Sequence, residues 1–389
     1  MLTLDCHTIR EIEHQPRMWM DTFRIIRERK ADIERFLADN QITKQTRTVL
    51  TGAGTSAFVA DTAACLFMQD GYGQTRSVAT TDIVSAPCSF LSPEDKLFVS
   101  FARSGNSPES VAAYRIARKF CKDARHLIIT CNPDGCLAKE AEPGKDLVIV
   151  LPDGTNDRSL AMTSSFTSML IACLLCKNIQ TLDVEEARLK AAAAFASHFL
   201  EDAVTTALRE MTAKNIYRAV FLGSGALKGI ACESHLKLQE LTDGQIMCSF
   251  DSFMGLRHGP KAVVNERTLV VYLLSDDPYT RRYELDLIDQ VGKEINIKYF
   301  DPSYMVRSIP AQGTDAIFCF QLAEAAVHAG MAGKTDMVVG SMNEQFSHVP
   351  IEYAVNERKK IDPNGTLWHA VLGATRQQDY FSGKGKGNK

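Results

Sequence analysis

The chain has 389 residues, 45% of them hydrophobic and 23% charged, and a formal net charge of -3 from 44 Lys and Arg against 47 Asp and Glu. That composition excludes collagen-like, disordered and small disulfide-scaffold classes, and the length allows two or three domains around a large core. The near balance of charge gives no electrostatic case for nucleic acid or an anionic membrane as partner.

Eleven cysteines are scattered through the chain, most of them in apolar runs such as AACLF. They are expected as buried, reduced thiols, which suits a cytoplasmic protein. Cys173 and Cys176 form a C-x-x-C, but no second pair or His set lies at zinc spacing. They read as core positions on a helix, and no metal site is expected. The N-terminus lacks the apolar stretch and cleavage site of a signal peptide. The longest apolar run, Met169 to Cys176, is too short to span a bilayer, so no membrane partner is expected.

In chain order, residues 1–45 read as a charged helical lead-in, with apolar residues at helical spacing from Trp19 to Leu37. From Thr48, TVLTGAG and an alanine-rich segment to about Met68 read strand–turn–helix. SVATT is a short strand. KLFVSFA is a buried strand, followed by a polar loop and the helix PESVAAYRIARKF. HLIITCN and DLVIVLP are two further strands, and MTSSFTSMLIACLLCKNI is a helix packed on their sheet. Strands alternating with helices of this length predict a doubly wound parallel sheet.

Residues 187–213 read as a helical connector. RAVFLGSGALKGIACESHLKLQE then repeats the strand–Gly-x-Gly–helix pattern. One constant spacing carries Gly52-Ala53-Gly54 onto Gly223-Ser224-Gly225 and Ser104 onto Ser275. Two elements sharing one spacing point to internal duplication. The expected fold is α/β, two tandem doubly wound, flavodoxin-like subdomains behind a helical N-terminal lead-in. The boundaries are 1–45 for the lead-in, 46–205 for the first subdomain with its connector helix, and 206–389 for the second with a C-terminal extension.

Two loops carry candidate chemistry in the first half. In Thr51-Gly52-Ala53-Gly54-Thr55-Ser56-Ala57 the glycines allow a tight turn, and the following helix offers free N–H groups beside hydroxyl donors. The same pattern also fits an ordinary βα turn or a weak dinucleotide loop. Arg103, Ser104, Asn106 and Ser107 follow the next strand, with Ser107 and Pro108 as an N-cap and N1 pair. This loop concentrates donors at the carboxyl end of a strand, where open α/β sheets bind ligands. With no P-loop lysine and no acidic metal ligand, it suits a phosphomonoester better than a nucleotide with magnesium. The corresponding loop of the second half is SDDP, whose carboxylates would repel phosphate, so one phosphate site per chain is expected.

In the second half, Glu233, Lys237 and Glu240 share one face of a helix, a spacing that also fits a solvated ion-pair face. His258 lies in a Gly/Pro-punctuated loop, Phe253 to Lys261.

Taken together, LTGAGTS, RSGNSPESVAA, TTDIVSAP, LAMTSSFTSM, ESHLKLQE and GLRHGPK resemble the sugar isomerase (SIS) domain family. The likeness covers roughly residues 10–330 and both halves. It is greatest to the galactosamine-6-phosphate deaminase/isomerase branch, also labelled tagatose-6-phosphate ketose/aldose isomerase. The resemblance implies that Ser56, Ser104 and Ser107 hold phosphate, with Gly54, Thr55, Arg103 and Asn106 beside them. It implies that Thr163 lines the sugar, that Glu240 moves a proton between C1 and C2, and that Lys237 lies one turn earlier. His258 matches the ring-opening histidine that reaches a neighbouring subunit's site, so a homodimer or larger assembly is expected. The implied activity converts galactosamine 6-phosphate to tagatose 6-phosphate and ammonia, without metal or other cofactor. A plain ketose/aldose phosphate isomerase and a non-catalytic sugar-phosphate sensor are the alternatives.

The chain also departs from the family pattern. Ala102 replaces a serine, Glu240 and His258 are spaced slightly wider than in glucosamine-6-phosphate synthase, and the synthase's Schiff-base lysine segment is not recognisable. With 45 residues ahead of the isomerase half, no glutaminase domain is expected there, and the stretch after about residue 330 leaves the branch pattern.

Overall fold

The computed structural model describes residues 6–200, 215–292, 313–342 and 345–355. Two compact units make up the chain, Met1–Met305 and Val306–Lys389. The connector expected over 187–213 is helical within Leu182–Phe199. Its remainder from residue 201 and the C-terminal stretch from residue 356 lie outside the described residues.

In the first unit the lead-in forms helices His7–Glu13, Gln15–Glu28 and Lys30–Asp39. Behind them lies a parallel sheet of β1 (Thr48–Thr51), β2 (Thr75–Ser77), β3 (Leu97–Ala102), β4 (Arg125–Thr130) and β5 (Asp146–Val150). Its strand order is β2-β1-β3-β4-β5. Alternate side chains serve opposite faces. Leu50, Val99 and Phe101 pack with Ile26, Ile33 and Met169, while Val49 and Phe98 pack with Ala113 and Ala117. Helices therefore cover both faces, which is why these strands read as unbroken apolar runs.

The strand expected at SVATT lies two residues earlier. Pairing with β1 continues to the Val78 amide on the Leu50 carbonyl. The Thr80 amide then turns onto the Gly52 carbonyl at 2.9 Å, and Thr80–Ser85 is helical. All eleven cysteines are free thiols. Six are buried, Cys173 and Cys176 among them, while Cys6, Cys88, Cys136 and Cys319 are exposed. Burial pushes the Cys176 thiol up to about 12.

The second sheet, β6 (Arg218–Gly223), β7 (Met247–Asp251) and β8 (Thr268–Leu273), is parallel and ordered β7-β6-β8. That is the order of β2-β1-β3. Gly54 and Gly225, each preceding a helix, have the same backbone angles, φ 57° and ψ -128°. The correspondence can be followed to residue 292; the place of a β4 counterpart lies outside the described residues. Where the same spacing would place a counterpart of β5, the second unit has a helix, Gly313–Met331. It is followed by an antiparallel pair, β9 (Met337–Met342) and β10 (Gln345–Pro350), and a short helix, Ile351–Val355.

What positions the functional loops is a helix crossing inside the first unit. The Ala226–Leu241 helix lies antiparallel along Thr55–Gln69. Gly225 faces Cys65, Gly229 faces Thr62, and Lys237 reaches Thr55. A Cβ on Gly229 would fall 2.2 Å from the Thr62 hydroxyl oxygen and 2.7 Å from its backbone nitrogen. Only glycine permits this approach. Gly229→Ala should therefore lower the urea midpoint of unfolding, at a cost of about 1–3 kcal/mol as in overpacked cores. An unchanged midpoint would show that the helices can separate without penalty.

Candidate active site

β1 and β3 are parallel neighbours, with Thr51 opposite Ser100. The chain leaves β1 toward β2 on one side and enters β3 on the other, so a crevice opens at their carboxyl ends, the usual ligand position in such sheets. Both candidate loops emerge there.

The first loop is tight because Gly52 must be small. A Cβ there would meet the Ser56 backbone at 2.5 Å. Gly54 then adopts positive φ and begins the Thr55–Gln69 helix without a side-chain cap. The second loop turns at Gly105, φ 65°, whose Cα lies close to Gly135. Asn106 steadies it, its side-chain oxygen accepting from the Cys136 amide at 2.9 Å. Asn132 Nδ2 donates to the Ser104 carbonyl at 2.9 Å. Ser107 does sit at the N-cap before Pro108, but its hydroxyl donates to Ser110 Oγ at 2.6 Å instead of capping the backbone. The helix start thus keeps its positive dipole end free of an internal acceptor side chain. The Ser104 side chain is exposed, Ser107 is half-buried and Ser56 is buried. Arg103 donates to the Ser159 carbonyl at 3.1 Å.

The Ala226–Leu241 helix brings its polar face to the first loop. Lys237 Nζ lies 2.7 Å from Glu240 Oε2, 3.3 Å from Glu233 Oε1 and 3.1 Å from the Thr55 hydroxyl oxygen. Thr55 in turn donates to Glu233 Oε1 at 3.2 Å. The Thr55 hydroxyl is therefore committed to this helix. These side chains are 7%, 16% and 28% exposed for Glu233, Lys237 and Glu240. The face is an inward-turned carboxylate–ammonium–carboxylate row, not a solvated ion-pair surface.

The resemblance gives Glu233 no role. Spacing placed it on the face, yet nothing local reveals that it would be buried. Loss of hydration pushes its carboxyl up to about 7, against the downward pull of Lys237. Its Oε2 has no hydrogen-bond partner among the described residues.

Two more buried carboxylates organise the rim. Asp157 accepts from the amides of Thr163, Ser164 and Ser165 and from all three of their hydroxyls. The Thr163 hydroxyl is thus held by Asp157 at 3.2 Å. Glu11, from the lead-in, accepts from the Arg158 amide at 2.6 Å and from the amide and hydroxyl of Ser159. The lead-in therefore steadies the loop on which Arg103 rests. Charge-assisted bonds of this kind recur where loops need a fixed shape.

His258 is not brought to Glu240 within one chain. Its loop follows β7, with Gly255 against Asp251, and Lys228 lies 4.0 Å from Asp251. Lys228 and Glu240 stand about 18 Å apart along the helix axis. The His258 side chain is exposed. Among the described residues no group of three or more His, Cys, Asp or Glu side chains is placed to hold a metal ion.

Linkage gives Glu233 a pH signature. Its folded pKa lies above the ordinary carboxylate value, so its burial penalty is absent below about pH 4.5 and complete above about pH 7. Glu233→Gln should then gain stability over the parent at pH 8, by up to about 3 kcal/mol, and lose that advantage at pH 4.5. Urea unfolding at both pH values measures it; a gap that does not change with pH would contradict the assignment.

Three comparisons bear on this geometry. Residues 41–176 match the SIS domain family model. A D-galactosamine-6-phosphate deaminase of a Shewanella species is 41% identical over 297 residues, covering 74% of each chain. The crystal structure of tagatose-6-phosphate ketose/aldose isomerase from Escherichia coli superposes with a TM-score of 0.68 at 38% identity, covering 74% of this chain and 79% of that one. A separate likeness is shorter: an ATP-dependent 6-phosphofructokinase of Borreliella burgdorferi is 46% identical over 99 residues, 24% of this chain and 22% of that protein.

Proposed function

The chain belongs to the SIS domain family, and on that premise we propose that it deaminates and isomerises an amino-sugar 6-phosphate, converting galactosamine 6-phosphate to tagatose 6-phosphate and ammonia. The observation that carries the reading is Lys237 joining Glu240 to Thr55, because it sets a proton-shuttling carboxylate beside the glycine loop at the open end of the first sheet. The relatives named deaminase and isomerase support it.

In this reading Ser56, Ser104 and Ser107 take the phosphate, with Gly54, Thr55, Arg103 and Asn106 shaping the cradle and Thr163 facing the sugar. His258 of the partner subunit opens the pyranose, giving a proton to the ring oxygen and taking one from the C1 hydroxyl. Glu240 removes the C2 proton as the protonated histidine gives one to the C1 oxygen, leaving an enolamine; Glu240 then returns its proton at C1 while the histidine takes one from the nitrogen. The product is a 2-imino ketose. Water adds to its C2 and ammonia leaves, giving the ketose 6-phosphate. The substrate brings its own nitrogen, so the mechanism calls for no Schiff base with the enzyme. Lys237 orients the Glu240 carboxylate, and Glu233 holds Lys237 from the buried side. A cytoplasmic protein acting on a soluble sugar phosphate fits this picture.

A plain ketose/aldose isomerase would use the same carboxylate and histidine, and the isomerase relative favours it as the second reading. Ammonia release from galactosamine 6-phosphate, measured against interconversion of tagatose 6-phosphate, separates the two.

Glu240→Gln should lower kcat by about 10²–10⁴-fold while leaving substrate affinity nearly intact. Near-parental ammonia release by that variant would remove Glu240 from the mechanism. Ser104→Ala should raise KM more than it lowers kcat. In a dimer with shared sites, an equimolar mixture of Glu240→Gln and His258→Gln chains, unfolded and refolded together, should recover about a quarter of parental activity. A mixture as inactive as either variant would place both residues in one chain's site.

A further inference from the structure

Opposite the crevice, at the amino end of the first sheet, the first unit contains a cavity of about 240 Å³. Thr48, Leu97 and Leu127, at or near the starts of β1, β3 and β4, line it. It lies about 17 Å along β3 from the Ser104 loop. Its walls include Ile33, Phe36, Phe67 and Cys176, all buried and apolar. Native interiors are close-packed, and lining atoms that face a void lose their dispersion partners, so an apolar space equal to about eight waters is unusual in a core.

Its mouth is polar and cationic. Lys177 is only 3% exposed, and its ammonium pairs with Asp70 and faces the Phe67 ring at 5.4 Å. Lys44 Nζ donates to the Asp70 carbonyl at 2.9 Å and faces the Tyr72 ring at 5.3 Å. One carboxylate between two ammonium groups leaves a net positive charge at the entrance. An apolar chamber with a cationic mouth matches a small molecule with a hydrocarbon body and one carboxylate.

We propose that this cavity is a binding site for a small apolar carboxylate of about eight to ten non-hydrogen atoms. The apolar body fills the space between Phe36, Phe67 and Cys176, and the carboxylate meets Lys177 and Lys44. The site is separate from the sugar-phosphate crevice and stands whether or not the reaction proposed above is correct.

Calorimetric titration of the full chain with octanoate, octan-1-ol and octylamine tests this. Octanoate should bind saturably at one per chain, and octan-1-ol about tenfold more weakly, the loss of one charge-assisted contact. Octylamine should be weakest. Lys177→Met should reduce octanoate affinity about tenfold and leave octan-1-ol unchanged. Cys176→Leu, and separately Val99→Leu, should partly fill the chamber and weaken binding of both probes, with galactosamine 6-phosphate competing in no case. Two filling variants are used so that one that misfolds leaves the other to report. Absence of saturable octanoate binding, equal affinity for octanoate and octylamine, or undiminished binding in a folded filling variant would each overturn the proposal.

Discussion

Everything at the crevice depends on the contact between two helices at Gly229 and Thr62. A backbone approach this close brings the polar face of the Ala226–Leu241 helix over the start of the Thr55–Gln69 helix. One consequence is that Lys237 touches Thr55 and both carboxylates of its own face. Another is that Glu233 leaves water. Its desolvation is a local cost, tolerated because Lys237 and Thr55 meet one of its oxygens. The site is thus built from two sheets, and neither half could form it alone.

The two halves share a backbone plan but not a chemistry. At the spacing that relates them, Glu233, Lys237 and Glu240 correspond to Thr62, Leu66 and Gln69. At these three positions the crossing that presents a carboxylate row to the first glycine loop presents none to the second. The second anion loop is changed as well. Asp276 and Asp277 stand where the first has Gly105 and Asn106. The Ser275 amide is taken at 2.9 Å by Glu284, a fully buried carboxylate of the chain itself. An internal carboxylate in that place leaves little call for an external phosphate. These differences agree with the expectation of one phosphate site per chain.

Buried carboxylates recur as shaping devices. Asp157 gathers three consecutive amides and hydroxyls at the start of the Ser164–Lys177 helix, and Glu11 fixes the neighbouring turn from the lead-in. The lead-in is consequently part of the rim of the site, more than a helical cover on the sheet.

The alternation of apolar runs with amphipathic segments was enough, from the chain alone, to define the parallel α/β plan, because strands covered on both faces must be apolar throughout. Local chemistry was equally legible. The glycine turn after β1, the donor-rich loop after β3 and the Glu233–Lys237–Glu240 face all depend on residues within one or two turns of each other. What the chain alone could not disclose depends on distance in sequence. The burial of Glu233, the commitment of Thr55 to the second helix and the holding of Ser159 by Glu11 join residues more than 140 positions apart. The helix Gly313–Met331, standing where the spacing calls for a counterpart of β5, belongs with them, since composition does not reveal which segments will pair. Periodicity determined the elements; the close crossing at Gly229 decided which of their faces would meet.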